Sequence, residues 1–108
     1  MPNCSLGAEN LAEAFLTCEK LKQWTEKGST KDILKKNVSH LEGSVKYGFE
    51  ELGHPPFENL THDIINLKNQ ADSEQPSPYF IETYADDIQR QILSEGMIGL
   101  IDCHIKKK

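Results

Sequence analysis

Long apolar runs are missing from this sequence. The longest stretch, Met97 to Ile101, covers five residues, whereas a helix that spans a bilayer needs about 20. The first residues, Met-Pro-Asn-Cys-Ser-Leu, also lack the basic segment and apolar core of a secretory signal. We therefore expect no membrane association and, provided that the chain is complete, a cytoplasmic location.

Cysteine is scarce, with three residues at Cys4, Cys18 and Cys103. An odd number of widely spaced cysteines cannot form a closed set of disulfides within one chain, so reduced thiols are the simplest interpretation.

Three Asn-x-Ser/Thr triplets are present, beginning at Asn3, Asn37 and Asn59. Such glycosylation acceptors matter only in a secreted chain, and we interpret them as coincidental.

Signatures of metal binding, cofactor binding and catalysis are missing as well. Glu51 and His54 have the Glu-x-x-His spacing of helical di-metal sites, but no second pair of this kind accompanies them. Cys103 and His104 are adjacent, and adjacent residues on a helix point in different directions. The sequence therefore predicts no metal site, no cofactor and no catalytic residues.

Arginine is nearly absent, because Arg90 stands alone beside eleven lysines in a chain of net charge −5. This balance does not indicate a nucleic-acid-binding protein. The terminal lysine triplet, residues 106–108, is too short to change that interpretation.

The residues that are present suit one small helical domain. The chain has 108 residues, of which 37% are hydrophobic and 27% are charged, and two halves of this length would bury inadequate cores. We therefore treat residues 1–108 as a single domain.

Apolar residues recur at helical spacing in four segments, of which the first two lie before Gly53. The first begins at Ser5, a typical N-cap residue, and ends near Trp24. Ser29 or Thr30 can cap the second. The second has the clearest apolar stripe, formed by Leu34, Val38, Leu41, Val45, Gly48 and Leu52.

The third and fourth segments follow Pro55 and Pro56, where the chain must turn. Gly53 suits a left-handed helix end, and the spacing predicts a third helix over residues 57–72. Ser77 as cap and Pro78 in the first turn predict the start of the fourth.

The tail after Glu95 allows two structures, because Gly96 and Gly99 interrupt an otherwise apolar segment. The fourth helix either continues to about Ile105 or ends at Gly96, and we favour the helix. Five large aliphatic residues in this tail either complete the core or contact another chain, which would make a homodimer. We favour completion of the core.

The fold class that follows is an antiparallel all-α bundle of four amphipathic helices, or five if Gly96 breaks the last. Its core should contain the large residues of the four apolar stripes. These are Leu11, Phe15, Leu34, Val38, Leu41, Val45, Leu60, Ile64, Ile88 and Ile92.

Negative charge is concentrated between residues 58 and 87, where seven acidic residues and one lysine give a net charge of −6. A dense negative surface attracts and steers basic proteins, although such a face also simply aids solubility. The residues expected to contact a basic partner are Glu58, Asp63, Asp72, Glu74, Tyr79, Glu82, Asp86 and Asp87.

The function hypothesis is therefore an acidic protein-binding module. By analogy of size and charge alone, it would resemble an inhibitor or immunity-type protein that covers a basic surface of an enzyme such as a nuclease. The alternatives are a homo-oligomeric structural or adaptor bundle and a small helical enzyme that uses Glu58 and His62 as an acid/base pair.

Aromatic residues offer anchors for such a contact surface. Pro78, Tyr79 and Phe80 precede Tyr84 by about one helical turn. We favour core packing for Phe80, whereas Tyr79 suits either the core or an interface because its hydroxyl needs water or a partner.

Overall fold

A computed structural model describes residues 3–24 and 31–107, with side chains as far as Lys106. The described residues form four helices and no strand. These are α1 (Cys4–Gln23), α2 (Lys31–Leu52), α3 (Glu58–Asp72) and α4 (Pro78–Lys107). The all-α bundle predicted from the sequence is confirmed, and no described helix is long and apolar enough to cross a bilayer.

The helix ends follow the local sequence with one exception. The cap of α1 is Asn3, whose side chain accepts a hydrogen bond from the Leu6 amide, so the assignment of Ser5 was wrong. Gly53 has a positive φ of 68° after α2, and the Ser77 hydroxyl accepts from the Phe80 amide at the start of α4. Both of these predictions are confirmed, whereas Ser29 and Thr30 lie outside the described residues.

The helices alternate in direction. Asn3 donates to the Glu51 carbonyl across α1 and α2, and the Gln89 amide donates to the Phe15 carbonyl across α1 and α4. Helix α3 packs against α2 and α4, and none of its described residues contacts α1. The order is therefore an up-down bundle in which α1 and α3 are diagonal.

The predicted core is buried except for Phe15, which is half-buried. At one end of the core α1 and α2 approach closely, because a Cβ added to Gly7 would lie 2.7 Å from Leu52 and 3.0 Å from the Gly48 carbonyl oxygen. Glycine is required at this crossing, since any side chain would separate the helices.

Cysteine pairing contradicts the sequence interpretation. Cys4 at the start of α1 and Cys103 near the end of α4 form a disulfide across a separation of 99 residues. Cys18 is the free cysteine, and burial raises the pKa of its thiol to about 12. The expectation of reduced thiols was therefore wrong for two of the three, because an odd count still permits one bond.

Helix α4 continues through Gly96 and Gly99 to Lys107, which confirms the helical interpretation of the tail. The two glycines face neighbouring helices, where added Cβ atoms would lie 3.0 Å from Leu11 and 3.2 Å from Leu52. The prediction that the large tail residues complete the core was wrong for four of them. Their exposed fractions are Met97 57%, Ile98 51%, Ile101 53% and Ile105 66%.

Candidate binding surface on the third and fourth helices

The eight residues predicted to contact a partner lie on α3, on α4 and on the connection between them. Most are exposed, whereas Asp63 and Asp86 are half-buried. They do not form one compact patch: Glu58 and Asp72 are the first and last residues of α3, and a helix of 15 residues places them about 21 Å apart. Glu74 follows α3 in the connection.

Asp63 and Asp87 are brought together by Gln91. Its amide nitrogen donates to Asp63 Oδ2 at 2.6 Å and to Asp87 Oδ2 at 3.1 Å. Desolvation and the adjacent Asp87 carboxyl together raise the pKa of Asp63 to about 6, although the hydrogen bond from Gln91 and the nearby His62 lower it. The protonated form of Asp63 therefore persists to higher pH than that of an ordinary aspartate.

Asp86 is already paired within the bundle. Lys22 of α1 lies 3.1 Å from Asp86 Oδ1, and Arg90 lies 3.0 Å from Asp86 Oδ2. Burial lowers the pKa of Lys22, but its hydrogen bond to Asp86 and the surrounding carboxylates raise it above its ordinary value. The free negative charge on α4 is therefore carried mainly by Glu82 and Asp87.

Aromatic side chains form a small cluster at the start of α4, in which Tyr79 meets Phe80 edge-on and Phe80 stacks on Tyr84. The rings of Tyr79 and Phe80 are 5.4 Å apart, and those of Phe80 and Tyr84 are 6.1 Å apart. Tyr79 is 71% exposed and Phe80 46%, so the prediction of core packing for Phe80 was wrong. Their amphipathic rings are typical of residues that anchor interfaces.

A cleft of about 520 Å³ is lined by Tyr79 and Tyr84 of this cluster and by acids of α3 and α4. Its charged lining consists of four acids and two bases: Asp63, Glu82, Asp86, Asp87, Lys22 and Arg90. Both bases pair with Asp86, which leaves Asp63, Glu82 and Asp87 beside the Tyr79 ring. The cleft combines carboxylate oxygens with a tyrosine ring, a chemistry that suits an ammonium or guanidinium group.

Glu95 is a buried acid that sequence reasoning missed. It is 3% exposed, and its Oε2 accepts a hydrogen bond from the Phe57 amide at 3.3 Å. Burial raises its pKa, whereas that hydrogen bond and the nearby His54 lower it. Glu95 borders a second polar cleft of about 420 Å³ that also contains Asp63, Asp87 and Gln91.

The residues considered for the enzyme and metal alternatives include Glu58, His62 and His54. Glu58 and His62 are 3.4 Å apart, but their side chains are 87% and 64% exposed, which is typical of a surface pair. His54 lies between the rings of Phe49 and Phe57. In the part of the chain that the structure describes, no group of three histidine, cysteine or acidic side chains is placed to hold a metal ion.

A separate apolar surface covers the second half of α4. Its exposed residues are Leu93, Met97, Ile98, Ile101 and Ile105. Leu93 and Met97 also border a groove of about 410 Å³ between α1 and α4, with Leu16 on the α1 side. The sequence showed that these residues were apolar, but their exposure depends on how α1 and α2 occupy the other face of α4.

Comparisons of this chain with protein-family models, with curated proteins and with solved structures find no match.

Proposed function

We propose that this protein binds a partner protein through the surface formed by Tyr79, Glu82, Asp87 and the cleft beside them, and that the partner contributes a basic segment. The observation that carries the proposal is the exposed Tyr79 ring beside carboxylates around one cleft. The surface would act by electrostatic attraction and by stacking of a cation on the ring.

The ion pairs within the bundle show which of the predicted acidic residues remain free to contact a partner. Asp86 contributes less than its neighbours because Lys22 and Arg90 neutralise it. Among the described residues, no lysine or arginine forms an ion pair with Glu82 or Asp87. A lysine or arginine of the partner would supply the missing positive charge, as in an inhibitor that covers a basic enzyme surface.

The disulfide bears on where this binding takes place. Disulfides persist in oxidising compartments and are rare in the cytosol, and Cys4–Cys103 joins the start of α1 to the last turns of α4 at one end of the bundle. We therefore propose an oxidising compartment in place of the cytoplasmic location expected from the sequence.

The test is a titration of the full chain with capped oligolysine and oligoarginine peptides, with an oligoglutamine peptide of equal length as the neutral ligand. We expect Glu82→Gln with Asp87→Asn to weaken binding of the basic peptides by about tenfold, or 1.4 kcal/mol. Raising the salt concentration should weaken binding of the unaltered chain more than that of the variant, because salt screens exposed charges.

The matched control is Glu9→Gln with Glu50→Gln, which removes the same amount of charge from exposed positions on α1 and α2. It should retain most of the affinity. Equal losses in the two double variants would show that net charge alone attracts the peptide, and the proposed surface would then be wrong.

A further inference from the structure

The two carboxylate oxygens of Asp86 are paired with cations of different exposure. Lys22 of α1 lies 3.1 Å from Oδ1, and Arg90, about one turn further along α4, lies 3.0 Å from Oδ2. The side chain of Lys22 is 23% exposed, whereas that of Arg90 is 77% exposed. A partner can therefore reach and replace one of these cations far more easily than the other.

Lys22 is held in place by buried neighbours. Its ammonium group also donates to Gln89 Oε1 at 2.9 Å, and Gln89 is 4% exposed. The Gln89 amide in turn donates to the Phe15 carbonyl and to Glu19. Displacing Lys22 would leave polar groups of this network without a partner, which is costly in a buried position. We therefore expect Lys22 to stay on Asp86 when a partner binds.

Arg90 is held much less firmly. Among the described residues, Asp86 is the one acid with which it forms an ion pair, and exposed pairs of this kind contribute little to stability. Arg90 also lines the cleft that contains Tyr79, Glu82 and Asp87. Its guanidinium group therefore lies where a cation of the proposed partner would enter, and it can leave at little cost.

We infer that Arg90 is an internal competitor for the binding cleft: it covers Oδ2 of Asp86 in the free protein and is displaced by an arginine of the partner. This role rests on the proposed binding of a basic partner, and it adds Asp86 to the residues that the bound partner contacts. Arginine suits the position better than lysine, because a guanidinium group reproduces the contact that Arg90 gives up and also stacks on aromatic rings such as that of Tyr79.

Titration of the full chain and of its Arg90→Gln variant with the capped oligoarginine peptide tests the competition. We expect the variant to bind about threefold more tightly, since an exposed ion pair competes only weakly. The gain should be smaller with oligolysine, whose ammonium groups do not reproduce the guanidinium contact. Circular dichroism should show unchanged helix content, because Arg90 is largely exposed and glutamine is a good helix former.

The matched control is Lys106→Gln, which removes the same charge from the same helix. Lys106 forms an i,i+4 pair with Asp102 at 3.1 Å, and their side chains are 57% and 41% exposed. It lies 16 residues from Arg90, or about 24 Å along the helix axis. This variant should bind oligoarginine like the unaltered chain, because salt screens exposed charges over that distance.

A double-mutant cycle shows whether Arg90 acts through Asp86. In the Asp86→Asn background, Arg90→Gln should lose most of its effect on affinity, because position 86 then offers no carboxylate for which Arg90 and the peptide compete. A gain that persists in full in this background would overturn the assigned role of Arg90. Equal effects of Arg90→Gln and Lys106→Gln, or weaker binding by Arg90→Gln, would also overturn it.

The same titrations separate this role from the proposed function. If oligoarginine binds and Glu82→Gln with Asp87→Asn weakens it, the proposed surface stands, and the Arg90 variants alone decide whether an internal competitor exists. Absence of binding, or binding that this double variant leaves unchanged, would contradict the proposed surface and the role of Arg90 with it.

Discussion

The two halves of α4 differ in what they expose rather than in how they form. Residues 78–91 present acids, Arg90 and Tyr79 to the outside, whereas residues 92–107 present large aliphatic side chains. Both halves are helical, and both turn their buried residues towards the neighbouring helices. The inner face of α4 is therefore determined by packing, and its outer face is available for binding.

The inner face also differs between the halves in residue size. The first half buries Ile81, Ala85 and Ile88, whereas the second buries Ile92 and Glu95 in its first turn and then Gly96, Gly99 and Cys103. Helices α1 and α2 approach the second half so closely that Leu11 and Leu52 nearly touch the glycines. From Gly96 onward small residues are buried and large aliphatic ones are exposed, the reverse of what hydrophobicity alone predicts.

Loss of the disulfide should have the largest effect on stability, and it would show how far the second half of α4 depends on its link to α1. The chain-entropy model gives about 4.7 kcal/mol for a loop of about 100 residues, and measured losses are typically about 2 to 5 kcal/mol. We expect a loss in this range for Cys4→Ser with Cys103→Ser, measured by urea unfolding. Reductant should destabilise the unaltered chain and leave the double variant unchanged.

The same isoleucine-to-alanine substitution, made once in each half of α4, should have very different effects on stability. Ile88 is fully buried in the first half and Ile101 is 53% exposed in the second. Ile88→Ala should lower the free energy of unfolding by about 2 to 5 kcal/mol, and Ile101→Ala should change it by less than about 0.5 kcal/mol. Both are to be measured at concentrations where the chain is monomeric. A similar loss of unfolding free energy in both variants would contradict the exposure of the large aliphatic residues in the second half.

Asp63 should make stability depend on pH. Its pKa is about 6 in the folded chain and 3.8 as a free side chain, so folding is most favourable below about pH 4 for this group. The free energy of unfolding therefore falls by up to about 3 kcal/mol as the pH rises through 6 and Asp63 loses its proton. Asp63→Asn should therefore stabilise the protein by about 1 to 3 kcal/mol at pH 7.5.

The comparison that checks this is thermal unfolding of Asp63→Asn and the unaltered chain at pH 4.5 and 7.5. The difference in stability should shrink at the lower pH, where Asp63 is mostly protonated. A difference independent of pH would mean that the carboxylate is solvated and that Asp87 and Gln91 do not perturb it.

Much of the fold was predictable from the sequence because helix periodicity and helix ends are local features. The stripe of α2, the turn at Gly53 and the capping of α4 by Ser77 all depend on residues within a few positions. The cap of α1 was not predictable in this way, because Asn3 and Ser5 are both good capping residues. The choice of Asn3 goes with the contact between α1 and α2, where its amide donates to the Glu51 carbonyl.

The candidate site was less predictable because its details depend on residues distant in sequence. Lys22 neutralises Asp86 across 64 positions, and Gln91 joins Asp63 to Asp87 across α3 and α4. The Cys4–Cys103 bond and the burial of Glu95 also arise from how the helices meet. Charge along the chain predicts an acidic face, but it does not show which acids are already paired.

The measurement that most directly tests the separation of the two surfaces is an amide NMR titration of the dilute, isotopically labelled chain with the oligolysine peptide. Amide signals of residues 79–91 and of Asp63 should shift, while those of residues 93–105 stay in place. Shifts centred on residues 93–105, or spread evenly over all four helices, would contradict the assignment of basic-partner binding to the first half of α4.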